Sequence, residues 1–165
     1  MKLRIILIFT LLSLSCSSSG VKNEEENLFN KITLAAKKDD IQSLSDVDYD
    51  QLTHYISEGK AYWVDLYPTL TKPPFLGITS LQEGLNISMA YALPENPLEV
   101  LKFLDESNIG AICGAPFIEP SSDEMMEYLS KANIALNKLP SGAYWKNRCI
   151  LELNKTKSND TTTVR

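Results

Sequence analysis

Ser121-Ser122-Asp123-Glu124-Met125-Met126-Glu127-Tyr128-Leu129-Ser130-Lys131-Ala132-Asn133-Ile134-Ala135-Leu136-Asn137-Lys138-Leu139 opens on a helix-capping sequence. Met125, Leu129, Ala132, Leu136 and Leu139 then recur at spacings of three and four, which is one face of a helix. Pro140-Ser141-Gly142 makes a turn. A last helix over about Ala143 to Leu153 carries Trp145, Cys149, Ile150 and Leu153 on one side. Beyond it the chain is polar and Thr-rich, and residues 155–165 read as a disordered tail.

Toward the N-terminus the same period returns. Asn96-Pro97-Leu98-Glu99 supplies an N-cap, a first-turn proline and an acid, ahead of Val100, Leu101 and Leu104. Ser80-Leu81-Gln82-Glu83 reads as a capping box for a helix bearing Leu81, Leu85, Ser88, Met89 and Ala92, which Leu93-Pro94 stops. Gly84 lies inside that helix and costs up to ~1 kcal/mol against Ala there, so it points to close packing. Ala61 to Leu70 reads as one helix that Pro68 kinks or ends. Tyr49 to Glu58, closed by Gly59, is another, and a further helix from Glu24 carries Leu28, Phe29, Ile32, Ala35 and Ala36.

Only Asn108 to Pro120 resists this reading. Gly110, Gly114, Pro116 and Pro120 break it up, and a strand pair over Ile109 to Ile118 is the alternative to an all-helical chain. The expected fold is all-α: six or seven short helices in antiparallel pairs, forming one compact orthogonal or solenoid-like array over residues 24–154.

Length and composition agree with one domain. The chain has 165 residues, 44% hydrophobic and 22% charged, too apolar for wholesale disorder. With 21 acidic residues against 16 basic ones, it offers no electrostatic footprint for nucleic acid.

The first residues are of a different kind. Lys2 and Arg4 precede the apolar run Ile5 to Leu12, well short of the ~20 residues a membrane-spanning helix needs. Residues 1–15 therefore read as a signal peptide. Leu12-Ser13-Leu14-Ser15-Cys16 resembles a bacterial lipoprotein signal, although Ser13 stands where Leu is usual. That resemblance implies lipid on Cys16, a flexible tether over residues 16–23, and attachment to the cell envelope. The periplasmic side of the outer membrane is favoured by Ser17. An ordinary signal peptide cut nearby is the alternative. Cleavage before Cys16 removes Lys2 and Arg4 and takes the formal charge from -5 to -7, which suits a basic protein partner.

With Cys16 assigned to lipid, Cys113 and Cys149 remain in a compartment that permits oxidation. Joined, they close a loop of about 37 residues, worth ~4 kcal/mol on the loop-entropy account. Two buried thiols are the alternative.

No residue pattern carries a recognisable chemistry. His54 follows Asp50 by four residues, a pairing common on helix surfaces. Asp46, Asp48 and Asp50 alternate as in a calcium loop but lack its sixth-position Gly, and Ser57 stands where a bidentate Glu is needed. There is no nucleophile elbow or phosphate loop. Trp63 and Trp145 fall on helical stripes and read as core rather than as sugar platforms. No catalytic, cofactor-binding or metal-binding residue is singled out, and no cofactor is implied.

Two proline-bounded loops are the candidates for binding. Pro116 and Pro120 pre-set the backbone around Phe117 and Glu119, which lowers the entropy lost when a partner is met. Phe117 then serves as an anchor and Glu119 as the partner of a basic group; the alternative puts Phe117 and Ile118 in the core. Pro73-Pro74-Phe75 offers Phe75 in the same way.

Ala90-Tyr91-Ala92-Leu93-Pro94-Glu95-Asn96-Pro97 and Cys113-Gly114-Ala115-Pro116-Phe117-Ile118-Glu119-Pro120 are the most specific segments of the chain. Together with Leu66-Tyr67-Pro68 they resemble a family of small exported proteins of Gram-negative bacteria without an established activity. The resemblance spans roughly Trp63 to Cys149, and the helical position of Cys149 within it supports the disulfide. In size, compartment and helicity the chain is also similar to immunity proteins against amidase effectors of type VI secretion. The function expected is a membrane-anchored periplasmic binding or inhibitor protein, of the immunity type. An accessory lipoprotein of an envelope complex, or a small hydrolase, are the alternatives.

Overall fold

The structure, a computed structural model, describes residues 19–142 and 144–163; the signal segment 1–15 and Cys16 lie outside the described residues. In chain order the helices are α1 (Ser19–Lys38), α2 (Asp46–Ser57), α3 (Ala61–Val64), α4 (Tyr67–Leu70) and α5 (Thr79–Glu95). Then come α6 (Pro97–Leu101), α7 (Ile109–Cys113), α8 (Ser122–Asn137) and α9 (Tyr144–Thr163). Among the described residues there is no strand, and the chain is an all-α bundle. No helix among them is long and apolar enough to cross a membrane.

The bundle is organised around α5. Leu81, Leu85, Met89, Ala90, Ala92 and Leu93 are all buried, so this helix is apolar around much of its circumference and has to be enclosed. It packs against α2, α6, α7 and α8, while α9 covers α7 and α8. Gly84 sits where α5 meets α2, and the position its missing Cβ would take is 3.4 Å from Thr53 Cγ2. That is ordinary van der Waals contact, so the packing does not require a glycine here.

The outer helices are fixed by polar side chains. Glu25 Oε1, on α1, accepts from Lys60 Nζ at 2.9 Å, from Trp63 Nε1 at 2.8 Å and from the Tyr62 hydroxyl. Trp63 is fully buried between Phe29, edge-on at 5.2 Å, and Tyr55, stacked at 5.1 Å. Asp48 accepts from Lys31 Nζ and from the backbone amide of Ser45, both at 2.6 Å, so it links α1 to the start of α2. His54 lies 3.5 Å from Glu58, the residue that caps the C-terminus of α2, rather than being paired with Asp50.

Several boundaries differ from the sequence reading, each for a local reason. Nine helical segments stand among the described residues, where six or seven were expected. Residues 61–70 form two short helices, because Pro68 has no amide to give the carbonyl of Val64 and the break falls just before it. Residues 109–113, expected to be irregular or a strand, form α7: Ile109, Ile112 and Cys113 share one buried face, and burial outweighs the glycines.

The ends of the helices differ too. The Ser80 capping box is absent; α5 begins at Thr79 and has no side-chain cap. Gln82 Nε2 donates instead to Leu70 O at 2.9 Å and Phe75 O at 3.2 Å, stitching the proline-rich loop to the helix. Asn96 holds the N-cap position of α6, but its amide donates to Gly59 O at 2.9 Å. At its two outer ends the helical chain extends further than read: α1 begins at Ser19 rather than Glu24, and α9 runs to Thr163 rather than Leu153. The capping pair at Ser121 and Glu124 is present as read, and a second, Ser45 with Asp48, starts α2 three residues ahead of Tyr49.

Candidate binding cleft

Residues 114–121 run from α7 to α8 and carry the two candidates Phe117 and Glu119. One end of this loop is held covalently. Cys113 is disulfide-bonded to Cys149 of α9, with Cα atoms 5.2 Å apart. Beside it the Thr156 hydroxyl, also on α9, donates to Gly114 O at 3.1 Å. The other end is Ser121, whose hydroxyl accepts from the Glu124 amide while Glu124 Oε2 accepts from the Ser121 amide at 2.9 Å. Hydrogen bonds from Ser121 hold the Glu124 carboxyl below the usual range.

Between these ends the backbone is strained. Ala115 and Glu119 have φ of 53° and 47°, the left-handed region, although both carry a side chain and both precede a proline. Such residues favour extended backbone, and each departure costs on the order of 1–3 kcal/mol. At Pro116 the fixed negative φ permits an inverse γ-turn, seen in the Phe117 amide donating to Ala115 O at 2.9 Å. The outcome is a divided loop: Phe117 turns inward while Ile118, 82% exposed, forms the tip.

Phe117 is half-buried. Its ring lies 4.4 Å from Tyr91 of α5, tilted by 30°, and 4.6 Å from Tyr128 of α8, edge-on. Tyr128 is buried and its hydroxyl donates to Ala90 O at 3.1 Å; Tyr91 is 48% exposed. Of the two environments open to Phe117, it has some of each, and Ile118 is not in the core. Phe75 is fully buried and belongs to the core, which corrects its expected place at the surface; the exposed residue of that loop is its neighbour Leu76.

The three rings floor a cleft of about 890 Å³. Its walls come from the end of α2, the last turns of α5, the 117–120 segment and the first half of α8. Five carboxylates line it, Glu58, Glu95, Glu119, Glu124 and Glu127, against two ammonium groups, Lys60 and Lys131.

Both cations are already engaged. Lys60 Nζ lies 2.9 Å from Glu25 and 2.9 Å from Glu58; burial opposes its charge, but these partners hold it above the usual lysine range. Lys131 lies 2.7 Å from Glu127, whose hydrogen bond and charge, with a smaller contribution from Glu95, raise it too. The carboxylates of Glu95 and Glu119 make no hydrogen bond or salt bridge among the described residues, and Glu95 acts on Lys131 only through its charge. Chemically, the cleft offers aromatic faces together with carboxylates that lack donors.

Tyr91, Tyr128 and Glu95 were not singled out from sequence. The available signal was spacing: Tyr91 and Glu95 are one turn apart on α5, as are Glu124 and Tyr128 on α8. Comparison with protein families, curated proteins and solved structures finds nothing that matches this chain.

Proposed function

We propose that this chain works by binding: a lipid-anchored protein of the bacterial envelope that covers and inhibits a basic hydrolase reaching the periplasm, as an immunity protein does. The observation that carries the reading is Ile118, a large apolar side chain 82% exposed on a loop fixed at both ends. An exposed apolar tip on a preorganised loop suits a partner, because little conformational freedom is left to lose on contact. The acidic lining of the adjacent cleft supports a partner of positive charge. Nothing in this reading requires a residue of the chain to react.

The test is affinity capture of the oxidised chain from its own host, beside an Ile118→Asp variant. One stoichiometric hydrolase, inactive in the complex and lost with the variant, is the expected result. Capture of resident envelope proteins only, unchanged by the variant, overturns it in favour of an accessory lipoprotein. Anchorage is checked separately: an alkyne fatty acid fed to cells should label the wild-type chain and not Cys16→Ala.

A further inference from the structure

Resting on that reading, we infer that the cleft receives an arginine side chain from the basic protein partner, its guanidinium lying on the Tyr91–Phe117 pair and bonded to Glu95 or Glu119. The cleft, rather than the acidic charge alone, carries this. Tyr91 and Phe117 lie 4.4 Å apart at only 30° to each other, and Tyr91 is half-exposed and lines the cleft, so aromatic surface is open to it. Glu95 stands one helical turn beyond Tyr91 on α5, and both line the same space. Glu119 enters from the opposite loop, held there by a left-handed backbone that an Asn or Gly would adopt more readily.

The charges select the occupant. Of the five carboxylates, Glu58 and Glu127 have ammonium partners and Glu124 is spent on the α8 cap, which leaves two acceptors without donors. An anionic group would meet those carboxylates, and a neutral apolar one would bury them unpaired. A cation satisfies them. Guanidinium fits better than ammonium, because it is planar, stacks on aromatic faces, and presents paired N–H donors that match a carboxylate. Lysine is a compact, strongly hydrated charge that gives up more water to enter such a cleft.

The probes are acetyl-Gly-Arg-Gly-amide and its Lys and Glu counterparts, titrated into the disulfide-intact, isotope-labelled chain and followed by amide chemical shifts. The Arg peptide should move Tyr91, Glu95 and Phe117 and bind at least three-fold more tightly than the Lys peptide, with no localised shift from the Glu peptide. A Glu95→Gln/Glu119→Gln double variant, both positions being exposed, should weaken the Arg peptide about ten-fold. Equal binding of Arg and Lys, shifts elsewhere, or indifference to the double variant overturns the inference. Partner capture separates this from the broader reading. If Ile118→Asp abolishes capture while the double variant retains it in full, the arginine site is wrong and the binding function stands. If Ile118→Asp changes nothing, the binding reading itself falls.

Discussion

The hydroxyl of Tyr128 donates to the carbonyl of Ala90, the one carbonyl of α5 that Pro94, four residues on, leaves without its helical amide. The proline does not stop α5, which continues to Glu95, and a side chain from another helix makes good the missing bond. Tyr128→Phe keeps the ring and strands a buried carbonyl, at a cost of about 1–3 kcal/mol. Pro94→Ala returns an amide to Ala90, so in that background Tyr128→Phe should cost less. Chemical denaturation of the four proteins of this double-mutant cycle measures the difference; strict additivity would show that the two residues do not share the carbonyl. Burial also raises the Tyr128 hydroxyl above the ordinary tyrosine range. Its contribution is therefore complete below about pH 10 and fades as pH climbs through the raised value.

Two glycines should respond in opposite directions. At Gly59, φ is +68° and an added Cβ would lie 2.9 Å from Glu95 Cβ and 3.1 Å from Asn96 Cβ, so Gly59→Ala combines strain with overlap and should cost about 1–3 kcal/mol. Gly84→Ala places its methyl at ordinary contact distance from Thr53 and relieves the helix of a glycine, a gain of up to about 1 kcal/mol. Thermal unfolding of the two variants checks both signs.

Replacing Cys113 and Cys149 together with Ser should lower stability by about 4 kcal/mol on the loop-entropy account. The loss should not be uniform. Hydrogen exchange should quicken first in residues 114–120, since the bridge is one of the two points from which that loop is held. Equal exchange in both proteins would assign the bridge no part in presenting Ile118.

Acid should act through Glu25. Burial pushes its carboxyl up, but hydrogen bonds from Tyr62, Lys60 and Trp63, with the Lys60 charge, outweigh burial and hold it below its ordinary 4.5. A depressed folded pKa means that the carboxylate contributes fully above about pH 4.5 and loses that contribution as pH falls through the folded value. Glu25→Gln should therefore be less stable at pH 7 and show a shallower fall below about pH 4.5. Parallel stability curves for variant and parent would rule Glu25 out. Asp48, held down by Lys31 and Ser45 against burial, should account for part of the remaining slope.

What was legible in the sequence was what neighbouring residues settle among themselves. The cap at Ser121 and Glu124 and the stripe from Met125 to Leu136 involve residues three and four apart, and both are present. The disulfide was reached by counting cysteines. Helix α7 was missed because its stability comes from Ile109, Ile112 and Cys113 being buried by other elements, while its own glycines argue against a helix. Phe75 was misplaced because a proline-flanked phenylalanine reads alike whether it faces water or the core. Phe117 and Glu119 were singled out from their prolines, but not their surroundings: Glu58 just past α2, Tyr91 on α5 and Tyr128 on α8 line the cleft, and periodicity reports only the inward face of each helix.

The Cys113–Cys149 bridge has a topological consequence. Residues 113–149 form a covalent ring that contains the 114–121 loop, α8 and the exposed turn at Pro140, Ser141 and Gly142. A protease that nicks the ring between Ser141 and Gly142 produces a two-chain molecule still tied through sulfur, with α9 in place and both sides of the cleft attached. The same nick in the reduced protein leaves α9 held only by its packing on α7 and α8. Oxidation thus turns this exposed turn from a point of failure into a cut that leaves the chain in one covalent piece.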